Sequence, residues 1–439
     1  MNAKFFLGAA ALLLSGIAFG QCPLRFEGAD QALIGVYIAP VGGGTPLVDY
    51  NSERMFTPAS VMKSVTVGAA IGQRGGDFRW ETKVCAVGKI GADGTLRGDI
   101  VVVGSGDPTL GSAQFSENRQ GFVEAVKDAA ALRGIRSVSG AVVNGSGVWP
   151  DLGPVPSWEI EDIPGVDGAG FYPLNYSDNI FLLSYPSMTS TPSVPGLKVE
   201  YLGGSGGLRF TRFPGSSEVR VYGHLPRKQT RATFKCSMPN PQAVVLAQLT
   251  RALSAGEKAV KAAGDTLVLL TYQSPALRDV ARSLMVRSDN QMAEATLRLL
   301  APRESRGKAL ATERTILSGA GANLKNARLA DGSGLSRHNA ISPRQLCSVL
   351  SAMAGNGDYV GSFARVGLDG TVRSFMKGMK GRDNFVLKSG SMTGVVCYVG
   401  YRLDPKTKAP THVVAMMVNN APNASAARAA MAKLLSATF

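Results

Sequence analysis

Ser60 and Lys63, in Ser60-Val61-Met62-Lys63, are the first residues in this chain whose types and spacing could do chemistry. A serine hydroxyl is a poor nucleophile until a nearby base takes its proton. A lysine three positions on shares the same helix face. Thr57-Pro58 reads as a helix start, with Thr as N-cap and Pro at the first helical position, and the helix is expected to run to about Gly72. Ser60 then falls in the first turn, where its backbone N–H and the positive end of the helix dipole can hold a developing oxyanion. On its own, S-x-x-K fits an ordinary surface helix equally well.

Two further triplets carry complementary groups. Ser288-Asp289-Asn290 lies between two helical patterns. There Ser288 can relay a proton and Asn290 can hold Lys63 or an amide, while Asp289 faces away. The plain alternative is a helix N-cap. Lys388-Ser389-Gly390-Ser391 follows a strand pattern, and Gly390 lets another backbone approach closely. Such an edge can pair with an extended peptide while Lys388 attracts a carboxylate and the Ser391 N–H supplies a second oxyanion donor. The plain alternative is a turn. A fourth stretch, Val101 to Asp107, looks like a strand feeding a glycine loop. It lacks G-x-G-x-x-G spacing and runs into Pro108, which argues against a nucleotide site. The three histidines have no metal-ligand spacing, so neither a metal nor a cofactor is expected.

The elements that must position these groups fall into blocks. Ala32 to Pro40 and Pro46 to Tyr50 read as strands around a glycine turn. Short alternating runs then appear at Ile100–Val103, Val138–Val143, Phe181–Leu183, Leu197–Tyr201 and Val219–Tyr222, with helical patterns at Gln120–Arg133 and Gln242–Ala255. Helices are expected near Ala276–Met285, Gln291–Leu300 and Pro343–Ala354, and strands at Asn384–Lys388, Val395–Leu403 and Thr411–Val418. A final Ala-rich helix, Ala424–Leu435, carries Arg428 and Lys433. It is read as packing on a sheet rather than lying on a membrane. Strands near both termini can share one sheet, so a chemistry-bearing domain interrupted by one or two α+β insertions is expected.

Lys4, the apolar run Phe5 to Phe19 and Ala18-Phe19-Gly20 form an export leader, expected to be cleaved after residue 20. The run falls short of the roughly 18 apolar residues of a spanning helix. Gln21 before Cys22 disfavours lipidation. An exported chain with five cysteines has room for one or two disulfides, with at least one thiol left over. Net charge +15 suits an anionic cell envelope, or solubility alone, better than nucleic acid.

The order S-x-x-K, S-x-N, K-[ST]-G is shared by penicillin-binding proteins and serine β-lactamases. Gly106-Asp107-Pro108-Thr109-Leu110, the Trp158 to Ile163 segment, Asn175 to Asn179 and Asp331-Gly332-Ser333-Gly334-Leu335-Ser336-Arg337 extend the likeness from around Asp30 to the C-terminus. On these residues the chain resembles a class C low-molecular-mass penicillin-binding protein of the D-alanyl-D-alanine carboxypeptidase/endopeptidase, peptidase S13-like family. The resemblance implies an α+β, multidomain fold. Its penicillin-binding transpeptidase-like (serine β-lactamase-like) catalytic domain has a central antiparallel sheet flanked by helices, interrupted by smaller α/β and β-rich domains. The expected division is 24–77 with 274–439, then 78–180 with 226–273, and 181–225 nested inside.

The resemblance also implies a serine acyl-transfer hydrolase of the periplasm acting on peptidoglycan stem peptides and cross-links, with β-lactam antibiotics as covalent inhibitors. Neither nucleic acid nor more than peripheral membrane contact is expected. Ser60 is the implied nucleophile, Lys63 its base, and Ser288 and Asn290 relay and position. Lys388, Ser389, Gly390 and Ser391 bind the substrate's terminal carboxylate and oxyanion. Asp162, or else Glu159 or Glu161, and Arg337 border a pocket for a diamino-acid side chain, walled by Met392 and Thr393. Two rivals are a β-lactamase and a catalytically silent envelope-binding protein. The long stretch between Ser60 and Ser288, and the lack of an evident carboxylate to activate deacylating water, disfavour the first. The intact motif set disfavours the second.

Overall fold

Strand-forming runs at opposite ends of the chain find each other across nearly its whole length. In the computed structural model, which describes residues 21–115, 121–260 and 265–439, Leu33–Pro40 pairs antiparallel with Pro410–Asn419, Leu33 opposite Asn419. The expected leader lies outside the described residues.

The described residues divide into two compact units, one within 21–64, 317–328 and 339–439, the other within 65–316 and 329–338. The first is built on six antiparallel strands in the order Ala364–Arg365, Phe385–Met392, Val395–Leu403, Pro410–Asn419, Leu33–Pro40 and Val48–Tyr50. Val395–Tyr401 is buried at every residue rather than at alternate ones, which requires cover on both faces of the sheet. The helices Pro343–Met353 and Ala424–Thr438 pack on this sheet. Ser342 caps the former, its hydroxyl accepting from Gln345 N–H at 3.2 Å while Gln345 Oε1 accepts from Ser342 N–H at 3.0 Å.

The second unit contains three small sheets. Thr266–Gln273, Glu81–Ile90 and Thr95–Val103 run antiparallel, and Ser137–Val138 and Val142–Asn144 add to the last strand in parallel. The helices Phe122–Leu132 and Pro241–Ala252 cover this sheet, burying Phe122, Val126, Val245 and Leu249 against Val84, Ile100 and Val102. Ala232–Ser237, Ile180–Tyr185 and Thr189–Thr191 form a second sheet; Arg209–Thr211, Glu218–Tyr222 and Lys198–Gly203 form a third. Helices Leu277–Arg287 and Asn290–Leu299 complete the part that bears on chemistry.

Several expectations need correction. Thr57 is not an N-cap: Ala59–Met62 is a 3₁₀ turn without a side-chain cap, and the α-helix proper is Lys63–Arg74. The Phe385–Met392 strand continues four residues past Lys388, so the Lys-Ser-Gly-Ser run lies inside it. By contact, the chain passes from one unit to the other after Ser64 and Ile316. Ile180–Tyr185 pairs with Ala232–Ser237, so the segment 181–225 shares a sheet with residues beyond it. All five cysteines are free thiols.

Candidate active site

The backbone before Ser60 is held by a distant residue. Asn419, at the end of its strand, accepts from Thr57 N–H at 2.8 Å and donates to Thr57 C=O at 3.0 Å, copying a ladder pair with its side chain. Thr57 is thereby kept extended and cannot begin a helix. Ala59 then adopts φ 50°, a left-handed value uncommon for a residue with a Cβ. The chain enters the 3₁₀ turn from there.

In a 3₁₀ helix side chains three apart eclipse one another. The turn therefore sets Lys63 directly over Ser60, with Lys63 Nζ 3.0 Å from Ser60 Oγ. Ser60 is half-buried and Lys63 fully buried. The turn is braced from behind: Tyr359 Oη donates to Ser64 C=O at 3.0 Å, and Ser64 Oγ donates to Val61 C=O at 2.7 Å.

The strand carrying Lys388 passes beneath the same turn. Gly390 permits it, since a Cβ there would meet Pro58 C=O at 2.6 Å and Val61 N at 3.1 Å. Lys388 is fully buried, and its ammonium donates to Ser389 C=O at 2.8 Å. Burial first, and the charge of Lys63 second, push the Lys388 amine well below the usual lysine range. Strand alternation turns Ser389 and Ser391 to the other face. Ser389 Oγ donates to Thr371 Oγ1 at 2.7 Å, and Ser391 Oγ accepts from Arg428 Nη2 at 2.8 Å. Met392 is half-buried, and Thr393 is exposed in the turn that follows. One unit thus brings together Ser60, Lys63 and the 388–393 run.

Ser288, Asn290, Asp162 and Arg337 belong to the other unit. Ser288 ends the Leu277–Arg287 helix in a left-handed conformation, φ 64°. Asp289 caps the next helix, accepting from Met292 N–H at 2.9 Å. Asn290 is nearly buried and donates to Asp167 C=O at 3.0 Å. Arg337 Nε lies 2.6 Å from Glu159 Oε1. Its direct acidic partner is therefore Glu159 rather than Asp162. Partial burial raises the Asp162 carboxyl, helped by Asp167 and Glu159 and opposed by Arg337.

Asp331 organises the loop that presents Arg337. Its buried carboxylate accepts from Trp158 Nε1 at 2.8 Å, Gly334 N–H at 2.7 Å and Ser336 N–H at 2.6 Å. Below it, Glu294 accepts from Gly332 and Ser333 N–H at 3.0 and 2.9 Å, yet burial and the nearby Asp331 push its carboxyl up to about 7. Glu313 is buried deeper, and burial pushes it up to about 8. Thr66 Oγ1 donates to Gly332 C=O at 2.9 Å and also faces the Glu313 carboxyl, whose rise it opposes. Sequence reading missed Asn419, Thr371, Arg428 and Asp331 as site supports. For Asp331 the five-residue loop before Arg337 was the available signal; the other three announce nothing locally. Among the described residues no cluster of His, Cys, Asp and Glu fits a metal ion.

A hydroxyl under a buried amine, with a second buried amine beside it, can form and cleave an acyl ester. A model of the D-Ala-D-Ala carboxypeptidase 3 (S13) family matches residues 25–438. The chain belongs to this family. It is a serine-type hydrolase. The S13 chain is 25% identical over 390 residues to the D-alanyl-D-alanine carboxypeptidase DacB of Haemophilus influenzae, covering 81% of this chain and 79% of that one. It is 25% identical over 423 residues to a D-alanyl-D-alanine carboxypeptidase of Actinomadura sp. strain R39, covering 86% and 76%. Penicillin binding protein 4 of H. influenzae superposes with a TM-score of 0.78 over 94% of this chain and 96% of its own, at 23% identity. The same protein complexed with a β-lactam gives 0.74. The expected fold class, α+β and multidomain with a penicillin-binding type of antiparallel sheet flanked by helices, is the fold of this S13 chain.

Proposed function

We propose that this S13 hydrolase removes the terminal D-alanine from peptidoglycan stem peptides, and opens D-Ala-containing cross-links, through an acyl ester on Ser60. The observation carrying this reading is the 3.0 Å approach of Lys63 Nζ to Ser60 Oγ in a turn that eclipses them. The Lys63 amine takes the hydroxyl proton as Ser60 Oγ bonds to the penultimate D-Ala carbonyl carbon. The Ser60 and Ser391 N–H groups hold the oxyanion. The scissile C–N bond then breaks, its electron pair staying on the departing amine, which receives the proton through Ser288. Water repeats the sequence on the ester and restores the Ser60 hydroxyl.

Lys388 and Ser389 are assigned to the terminal carboxylate, and Asn290 to the substrate amide. Arg337, with Glu159 and Asp162, is assigned to a zwitterionic diamino-acid side chain of the stem, bordered by Met392 and Thr393. A zwitterion needs one cationic and one anionic partner, and these residues supply both. β-Lactams, which acylate the same hydroxyl, are the expected inhibitors. The expected leader puts the protein outside the cytoplasm, where its substrate is.

Incubation with labelled penicillin followed by peptide mapping tests the reading. A long-lived adduct on Ser60, lost in Ser60→Ala, together with D-alanine release from a pentapeptide, is expected. Label on another serine would overturn the assignment, and rapid penicillin turnover without an adduct would make the protein a β-lactamase.

A further inference from the structure

A cavity of about 790 Å³ lies within the second unit, bounded by the Ile160–Gly165 segment and strands Arg209–Thr211, Glu218–Tyr222 and Ala232–Ser237. It has no part in the chemistry described so far. Phe210 and Phe213 form apolar wall, and Phe213 is 61% exposed. Four cations line the same space, Arg209, Arg212, Arg220 and Lys235, against one carboxylate, Glu161.

Arg212 is the informative one. Its side chain is 3% exposed, so its charge has left water. Its hydrogen bonds go to Ser216 C=O at 3.3 Å, Ile163 C=O at 3.2 Å, Ser237 C=O at 3.4 Å and Ser237 Oγ at 2.5 Å, all of them neutral. Nε has no partner. A buried guanidinium is ordinarily matched by a carboxylate, because taking a charge out of water is costly unless it is paired. Here the countercharge is missing and the group lines an open cavity. Arg220 is already engaged by Glu218 and Glu200, at 2.8 and 3.4 Å. Arg209 and Lys235 are exposed at the rim with no ion-pair partner among the described residues.

We propose that this cavity binds an anionic amphiphile, a small phosphate- or carboxylate-headed molecule whose head is held by Arg212, Arg209 and Lys235 and whose apolar body lies along Phe210 and Phe213. The cluster of cations suits either head group, and the aromatic wall gives the body somewhere to leave water.

Calorimetric titration of the full chain with dihexanoyl phosphatidate below its micellar concentration, octanoate, inorganic phosphate and dihexanoyl phosphatidylcholine tests this. Saturable one-to-one binding of the phosphatidate or of octanoate is expected, and whichever binds tighter identifies the head. Inorganic phosphate should bind at least about tenfold more weakly, and phosphatidylcholine not at all. Arg212→Gln should abolish binding. Because that residue also braces the fold, two surface variants keep the test decisive. Arg209→Ala with Lys235→Ala should weaken binding about tenfold, and Phe213→Ser severalfold, while penicillin acylation of Ser60 stays at the wild-type rate. Absence of binding by both amphiphiles, equal binding of bare phosphate, or unchanged affinity in both surface variants would overturn the proposal.

Discussion

Gly390 runs so close under Pro58 that a Cβ on the glycine would stand 2.6 Å from the proline carbonyl oxygen. Backbone cannot yield there as a flexible side chain would. Gly390→Ala must push the Lys388 strand away from the turn bearing Ser60, at about 1–3 kcal/mol for such overpacking. The expected outcome is a modest fall in melting temperature and at least a tenfold fall in the penicillin acylation rate. A variant acylating at the wild-type rate would mean that the strand and the turn need not touch for reaction.

Lys388 has a folded-state pKa depressed well below 10.5, by burial and then by Lys63. Between that depressed value and 10.5 the unfolded chain binds the extra proton, so stability rises with pH across the window and is lower on its acid side. Lys388→Met removes the buried amine and its penalty. We expect a higher melting temperature at pH 7, a flatter profile toward pH 10 and almost no peptide turnover. Thermal scans of both proteins from pH 7 to 10 decide it.

Glu313 shifts the other way. Its carboxyl rises from 4.5 to about 8, so the folded chain holds the extra proton, and the associated stability is complete below 4.5 and lost as pH passes 8. Glu313→Gln should leave acid stability little changed, raise stability at pH 8 and flatten the decline between. Parallel urea midpoints for both proteins across that range would refute the assignment.

Arg337 and Glu159 form a half-exposed ion pair, 2.6 Å apart, of the kind that adds little to stability. If its work is substrate recognition, Arg337→Ala should lower kcat/KM on diaminopimelate-bearing peptides by about tenfold or more while leaving penicillin acylation and melting temperature nearly unchanged. Equal losses on both reactions would assign the residue to the fold.

Much of this molecule could be read from local signals. The Val395–Leu403 strand and the helices beginning at Pro343 and Ala424 announce themselves by apolar pattern and capping residues, and their bounds agree to within a few residues. The three motifs stand out in the sequence by residue type and order, S-x-x-K, S-x-N and K-S-G. What failed depended on partners remote in sequence. Thr57-Pro58 has every local mark of a helix start, yet Asn419 holds Thr57 extended. The burial of Lys388 likewise went unread, because nothing near it in sequence reveals the turn that covers it. Glu81–Ile90 and Thr266–Gln273 went unread, their alternation blurred by lysine and glycine in the first and by a bulge in the second.

The pairing of Leu33 with Asn419 also bears on how the chain reaches its native state. Non-local strand pairs must meet the entropy of closing a long loop before they return any stability. Leu33–Pro40 is synthesised long before its partner, Pro410–Asn419. Until that strand arrives, one edge of Leu33–Pro40 stays open, and such an edge invites association with other chains. The catalytic sheet therefore cannot assemble as the chain emerges, and early sequestration of that edge by a holding factor should raise the yield of active protein more than any stabilisation of the finished fold.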